Sequence, residues 1–387
     1  MRMAYLAGGR LFVQDGSQDP REIESTFGQE LIQRAEQVAQ RHEWKTKGSG
    51  AAFMSGGMLW GVNSQDQQVR NVRITGMTVK PGGSECYLAL ESPPVGALLC
   101  HNLCSGAETR ILHRERFQCT DLVLHSVDPL LACSLRFQNG SANIAIMATD
   151  GSDLREVTEG DSVDEAPSWV PGSTSLVYQS SGVGRSPEGF FAGVGPITVM
   201  KLDVDSGSLD TLLQDSHYDF LTPRLTSSDV LYYIRRPYEP FVRPSVWRIA
   251  GDVVLFPFRL LRALLAYLNF FSLTYTRKPL TAAGGPKFEG RDLRQLIVRG
   301  RMIEAAKKLR EQTNDERALV PRSWELRRRT TDGNDECLAR GVLCFDLASD
   351  GSIFYSNGTT VFRVNSQGKP CKLAAAPLIE SLVILEG

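Results

Sequence analysis

The sequence predicts an all-β fold, a seven-bladed β-propeller with an inserted α-helical segment. Three observations point to it. Units of four short strands joined by Gly, Asp and Asn turns recur along the chain. The two chain ends carry complementary parts of one such unit. The 35 Gly and 19 Pro in 387 residues mark frequent tight turns. Length alone suits two or three domains or one repeat architecture, and the recurrence decides for the repeat.

The best-formed unit begins at "APSWVPG" (166–172), a short inner strand and a turn. "SLVYQSS" (175–181) and "PITVMKLDVDSG" (196–207) alternate apolar and polar residues, and "SLDTLLQDS" (208–216) supplies an outer strand. "FLTPRLTSSDVLYYIRR" (220–236) repeats the first half, with Thr222-Pro223-Arg224-Leu225 standing where Ala166-Pro167-Ser168-Trp169 stood. Whole units follow the same plan at 77–113, 122–158 and 343–374, with a shorter one at 51–74. "AYLAGGRLFVQDGSQDPREIES" near the start has second, third and fourth strands but no first. "APLIESLVILEG" at the end is an inner strand with nothing after it. Joined, they close the ring as the seventh blade, which removes the open edges of the array. Six blades is the alternative count.

The stretch "IAIMATDGSDLREVTEGDSVDEAPSWVPGSTSLVYQSS" resembles the repeat of TolB-like propellers, in which a strand ends in Asp-Gly, followed by Leu-Thr and then Pro-x-Trp-Ser-Pro-Asp-Gly. Here these are Asp150-Gly151, Val157-Thr158 and Pro167-Ser168-Trp169-Val170-Pro171-Gly172, without the acid of the last turn. The match is good in this unit and degenerate in the others. The resemblance implies an architecture, with protein–protein interaction or ligand binding at the top of the ring or in its channel, and specifies no activity.

Two segments break the repeat. "STFGQELIQRAEQVAQRHEWK" (25–45) reads as a helix over about 26–43, with Thr26 and Gln29 as a capping box and Leu31, Ala35 and Val38 on one face. The simplest role for it is packing on the side of the first blade. The second segment, 237–322, splits the sixth blade, so the propeller comprises 1–236 and 323–387. Some 85 residues are too many for an idle strand-to-strand connection.

The first part of that insertion, "DVVLFPFRLLRALLAYLNFFSLTYTRK" (252–278), is the most apolar run of the chain. On a helix, Arg259 and Arg262 share a polar stripe, while Leu264, Leu268 and Phe271 lie opposite. Two arginines and Pro257 disfavour a transmembrane span. An interfacial helix and a helix buried against the rim, a neighbouring helix or a partner's groove both remain open. The second part, 290–329, reads as containing a basic helix with Leu293, Leu296, Ile297 and, after Gly300, Ile303, Ala306 and Leu309 as its apolar residues. Arg291, Arg294, Arg299, Arg301, Lys307 and Lys308 crowd its other faces. A charge run of this kind is usually a solvated face, and beside an apolar helix it also suits anionic headgroups or an acidic protein surface.

Charge is unevenly spread. Residues 241–329 hold 19 Lys/Arg against 8 Asp/Glu, leaving 24 against 36 in the remainder of a chain whose net charge is −1. The asymmetry speaks to partners: a protein, an acidic surface or an anionic membrane. With no recognised binding module, nucleic acid is disfavoured.

No nucleophile elbow, phosphate loop or metal triad stands in the sequence. "VGRSPEGFFAGVG" (183–195) lacks the Lys-Ser/Thr of a P-loop. "DVDSGSLD" (203–210) imitates a calcium loop but reads as a turn. "CHNLC" (100–104) has no second ligand pair for zinc, so the cysteines are expected to be buried and reduced. His125 and His217 fall near the ends of inner strands, within reach of a channel mouth, and read more simply as satisfied or surface histidines. The sequence therefore predicts a non-enzymatic interaction scaffold, without metal or cofactor, binding through the inserted residues named above. A propeller hydrolase or lyase with a channel site is the alternative. The opening "MRMAYLAGGRLFVQDG" holds no apolar signal core. The expected location is therefore cytoplasmic, with peripheral attachment to the inner face of a membrane as a further option.

Overall fold

The computed structural model describes residues 2–16, 18–46, 72–187, 189, 191–239, 296–298, 301–303, 318–364, 370–376 and 378–385. The chain divides into a unit made of Met1–Tyr238 and Ala306–Gly387 and an inserted unit, Glu239–Ala305.

In the first unit, β1 (Arg2–Ala7), β2 (Arg10–Asp15) and β3 (Arg21–Ile23) precede helix α1 (Thr26–Thr46). β4 (Arg73–Val79), β5 (Glu85–Ser92), β6 (Val95–Asn102) and β7 (Glu108–Glu115) form an antiparallel meander. β8 (Cys119–Leu124), β9 (Leu130–Arg136), β10 (Ala142–Ala148) and the short β11 (Arg155–Glu156) form the next. β12 (Ser162–Trp169), β13 (Ser175–Arg185), β15 (Thr198–Asp203) and β16 (Leu209–Leu213) follow, with β14 (Phe191–Val194) as a hairpin on the far end of β13. β17 (Tyr218–Leu225) and β18 (Leu231–Pro237) pair with strands from beyond the insertion, β21 (Glu325–Arg329) and β22 (Asp335–Arg340). β23 (Cys344–Leu347), β24 (Ile353–Ser356), β25 (Thr360–Val364) and β26 (Pro370–Ala375) complete a further meander. β27 (Ile379–Leu385) then pairs antiparallel with β1, from Arg2 opposite Leu385 to Ala7 opposite Ile379.

Among the described residues of the first unit the strands form four four-stranded sheets and one nine-stranded sheet. In the latter the β8–β11 and β12–β16 groups join through a single parallel pair, Ala142 opposite Val163. Taken as separate groups they make six units, the alternative count from the sequence. Of the segment given to a further blade, 51–74, residues 51–71 lie outside the described residues, and Arg73 and Ile74 open β4. The closing unit packs directly on β4–β7: Leu6, Leu11, Val13 and Leu385 share one apolar cluster with Met77, Leu88, Leu90 and Leu99. Four more clusters fill successive junctions around the unit. The second strands are buried on both faces because each sheet is covered by its neighbours, as in β5, while outer strands such as β7 are largely exposed. Each fully covered Leu contributes about 1.5–3 kcal/mol.

The inner strands run the same way. Thr75 of β4 donates to the Cys119 carbonyl near the start of β8, and near the strand ends the Leu124 N–H donates to Thr78. Cys344 lies against the Ile379 carbonyl at the starts of β23 and β27, and Ile384 donates to Asp346 near their ends. The ring thus has an entry end, where inner strands begin, and an exit end.

Helix α1 starts where the sequence predicts, but its cap differs. Ser25 is the N-cap, accepting the Gly28 N–H at 3.0 Å. Glu108 of β7 supplies the anion, accepting from Ser25, Thr26 and the Phe27 N–H at 2.9–3.1 Å. Burial alone would raise the Glu108 pKa. Bonds from His101, Phe27, Thr26 and Ser25 outweigh it and hold the carboxyl below its ordinary value. Phe27 and Leu31 pack into the cluster shared with β4–β7, while the Ala35 and Val38 side chains lie outside the described residues.

The inserted unit corrects the helix expected around 290–310. Leu296–Val298 and Arg301–Ile303 form a hairpin, β19 and β20, with Val298 opposite Arg301. The β-branched run Ile297-Val298 favours strand, and Gly300 interrupts a helix.

Candidate functional site

The inner strands share a local device. In β8 the register with β9 shifts between Thr120 and Val123; in β12 it shifts between Glu165 and Ser168; in β17 between Leu221 and Arg224. Each bulge holds a non-glycine residue at positive φ: Asp121 (50°), Ala166 (52°) and Thr222 (46°). That conformation costs an L-residue about 1–2 kcal/mol and persists only where its surroundings enforce it. β4 shifts between Ile74 and Gly76, and the β27 shift leaves Glu380 as the extra residue.

Polar side chains gather at this level, toward the entry end. The Arg136 guanidinium meets Glu165 at 2.6 Å, with 47% of the Arg136 side chain exposed against 12% for Glu165. Gln179 donates to the other Glu165 oxygen at 3.3 Å and accepts the Thr222 N–H at 3.0 Å. One hydrogen-bonded chain therefore crosses three neighbouring units. Glu165 holds the Arg136 pKa above its ordinary value, and Asp121 and Glu91 add to the effect. Nearby, Asp219 accepts the Ile197 N–H at 3.0 Å and Arg236 Nε at 2.8 Å, a buried pair, and Arg236 lies 4.9 Å above the Trp324 ring.

The same end carries the projecting β13–β14 hairpin, the glycine-rich stretch singled out in the sequence. Arg185 on it bonds Asp161 at 2.6 Å. β18 ends here too, and the Tyr238 hydroxyl donates to the Val194 carbonyl of β14 at 2.9 Å. β21 re-enters at this level, with Glu325 opposite Arg235. Burial would raise the Glu325 pKa, but bonds from Arg327 and Arg235 hold it low.

Of the binding residues expected from sequence, Arg259, Arg262, Leu264, Leu268, Phe271, Arg291, Arg294, Arg299, Lys307 and Lys308 lie outside the described residues. Arg301 begins β20 instead of lying on a helix. His125 sits at the exit end, buried; its Nδ1 accepts the Asp128 N–H at 2.8 Å, its Nε2 pairs with the Ser173 carbonyl at 3.1 Å, and its ring stands edge-on to Trp169. His217 is exposed at the entry end. Asp203 caps its own turn through the Asp205 and Ser206 amides, so "DVDSGSLD" is a turn. All eight cysteines are free, and Cys104 and Cys371 are exposed where burial was expected, because they lie on a turn and an outer strand. Among the described residues no three His, Cys, Asp or Glu side chains converge as metal ligands, and no helix is long and apolar enough to cross a membrane. The Arg136–Glu165–Gln179 chain was missed because its members are far apart in sequence. Its one local signal is the acid just before Ala166-Pro167.

No family model and no curated protein matches the chain. Solved structures do. A crystal structure of TolB from Acinetobacter baumannii is similar over 98% of this chain and 66% of its own length, with 9% identity and a TM-score of 0.50. The chain thus spans about two thirds of that structure. A nidogen/laminin complex is similar over 98% of this chain and 97% of its own, with 7% identity and a TM-score of 0.53. The fold is that of a TolB-like β-propeller.

Proposed function

We propose that the protein is a non-enzymatic interaction scaffold: a six-bladed propeller whose entry end docks a partner protein, with the inserted segment as part of the docking element. The observation that carries this reading is where the chain leaves and re-enters the ring. β18 and β21 adjoin the insertion at the end that also bears the bulge network and the β13–β14 hairpin, with Arg235 opposite Glu325. Strained bulges and a projecting hairpin collected at one end of a rigid ring suit recognition of a polypeptide surface. One of the similar structures is itself a complex of two proteins, nidogen with laminin.

The charge distribution refines the partner. The insertion is strongly basic by composition, which favours an acidic protein surface, with Leu264, Leu268 and Phe271 as apolar anchors. The test replaces residues 240–317 by a short linker. The variant is expected to keep its β-rich circular dichroism and to lose the partner that co-purifies with the full chain. Binding of the full chain to phosphatidylserine vesicles, lost in the variant and at 1 M salt, would replace the protein partner by a membrane. Unaltered protein binding by the variant would remove the insertion from the docking element.

A further inference from the structure

Beside the re-entry strand β21, a cleft of about 270 Å³ opens between β22 and the sheet of β23–β26. It is lined by Leu338, Ala339, Tyr355, Val364 and Pro370 together with two exposed arginines, Arg322 and Arg340. Among the described residues the charge of these arginines is only partly matched. Arg340 reaches Glu325 only at 3.5 Å and its side chain is 68% exposed, while Glu325 is already held by Arg235 at 2.7 Å and Arg327 at 2.8 Å. Arg322 is exposed and forms no ion pair among the described residues.

We propose that this cleft is a second docking site, for a short partner-protein segment in which aliphatic residues are flanked by Asp or Glu. The aliphatic side chain covers the Leu338, Ala339 and Val364 surface, and a carboxylate bridges toward Arg322 and Arg340. Guanidinium groups match carboxylates through paired N–H donors, which gives the site direction as well as charge. Lysine-rich segments are rejected because the two arginines already make the cleft cationic. The site is separate from the bulge network, to which none of its residues belongs.

The test uses three fluorescein-labelled pentapeptides, N-acetylated and C-amidated, titrated with the full chain at low ionic strength. Leu-Glu-Leu-Asp-Leu is the probe, Leu-Lys-Leu-Lys-Leu the charge control and Ser-Glu-Ser-Asp-Ser the apolar control. The probe is expected to bind at least about tenfold more tightly than either control and to weaken as salt shortens the screening length to about 3 Å at 1 M. Arg322→Ala with Arg340→Ala should reduce its affinity about tenfold or more. Ala339→Trp, which fills the cleft without altering charge, should abolish it; melting temperatures close to wild type show that both variants fold. Equal binding of the basic peptide, no saturable binding of the probe, or probe binding untouched by both variants would each overturn the proposal.

Discussion

Arg73 and Glu380 meet at 3.7 Å, linking the inner strand of the closing unit to that of the next. The same carboxylate accepts the Gly9 N–H at 3.1 Å. Burial nevertheless dominates and leaves the Glu380 pKa raised, with Arg73 and Gly9 offsetting it only in part. The bulge that exposes Glu380 to this junction thus stores a small electrostatic cost at the ring's closure.

A pH dependence follows, with a definite sign. A carboxyl whose folded pKa is raised binds its proton more tightly in the folded state. Its stability contribution is complete below the unfolded value, near 4.5, and is lost as pH rises through the higher folded value. Glu380→Gln should therefore melt higher than wild type at pH 7 and match it near pH 4, as followed by differential scanning calorimetry. A lower melting point at pH 7 would mean that the Arg73 pair outweighs burial.

Ring closure by the chain ends makes the last strand indispensable. Leu382 and Leu385 are buried at 4% exposure in the clusters on either side of the closing unit. Leu382→Ala should cost about 3 kcal/mol in denaturant unfolding, and deletion of 379–387 should leave the protein insoluble or far less stable. A soluble truncation with an unchanged melting temperature would contradict the closure.

Gly96, at the start of β6, has no room for a side chain. A Cβ there would stand 1.6 Å from the Phe117 carbonyl oxygen, a backbone atom that cannot swing aside. Gly96→Ala is expected to destabilise by about 3 kcal/mol, the upper range for overpacking, whereas Gly106→Ala, with open space around it, carries only the cost of its positive φ. Chemical denaturation of the two variants separates crowding from backbone strain.

Much of the fold was legible in the sequence because a four-strand unit writes its turns in Gly, Asp and Asn and its strands in period two. "SLVYQSS" falls within β13, and "TPRL" aligns with "APSW" on equivalent bulges. The unit expected at 51–74 was less legible: its apolar residues fall in the runs AAFM and MLW instead of alternating, and 51–71 lie outside the described residues. Basic periodicity at 291–310 suggested a helix, where the local β-branched residues of 296–303 favour a hairpin. The entry-end network could not be read in advance. Arg136, Glu165, Gln179 and Thr222 become neighbours only when three units stack around the ring, and a positive φ at Ala166 leaves no mark in composition.

The central claim is that the entry end docks a partner protein. Its most direct test is site-specific photo-crosslinking in cells, with benzoylphenylalanine at exposed positions of each end: Glu159 and His217 at the entry end, Val127 and Asp205 at the exit end. The account predicts one discrete crosslinked protein from Glu159 and His217 and none from Val127 and Asp205. Crosslinks to that protein from the exit end alone, or none from any of the four positions, would contradict it.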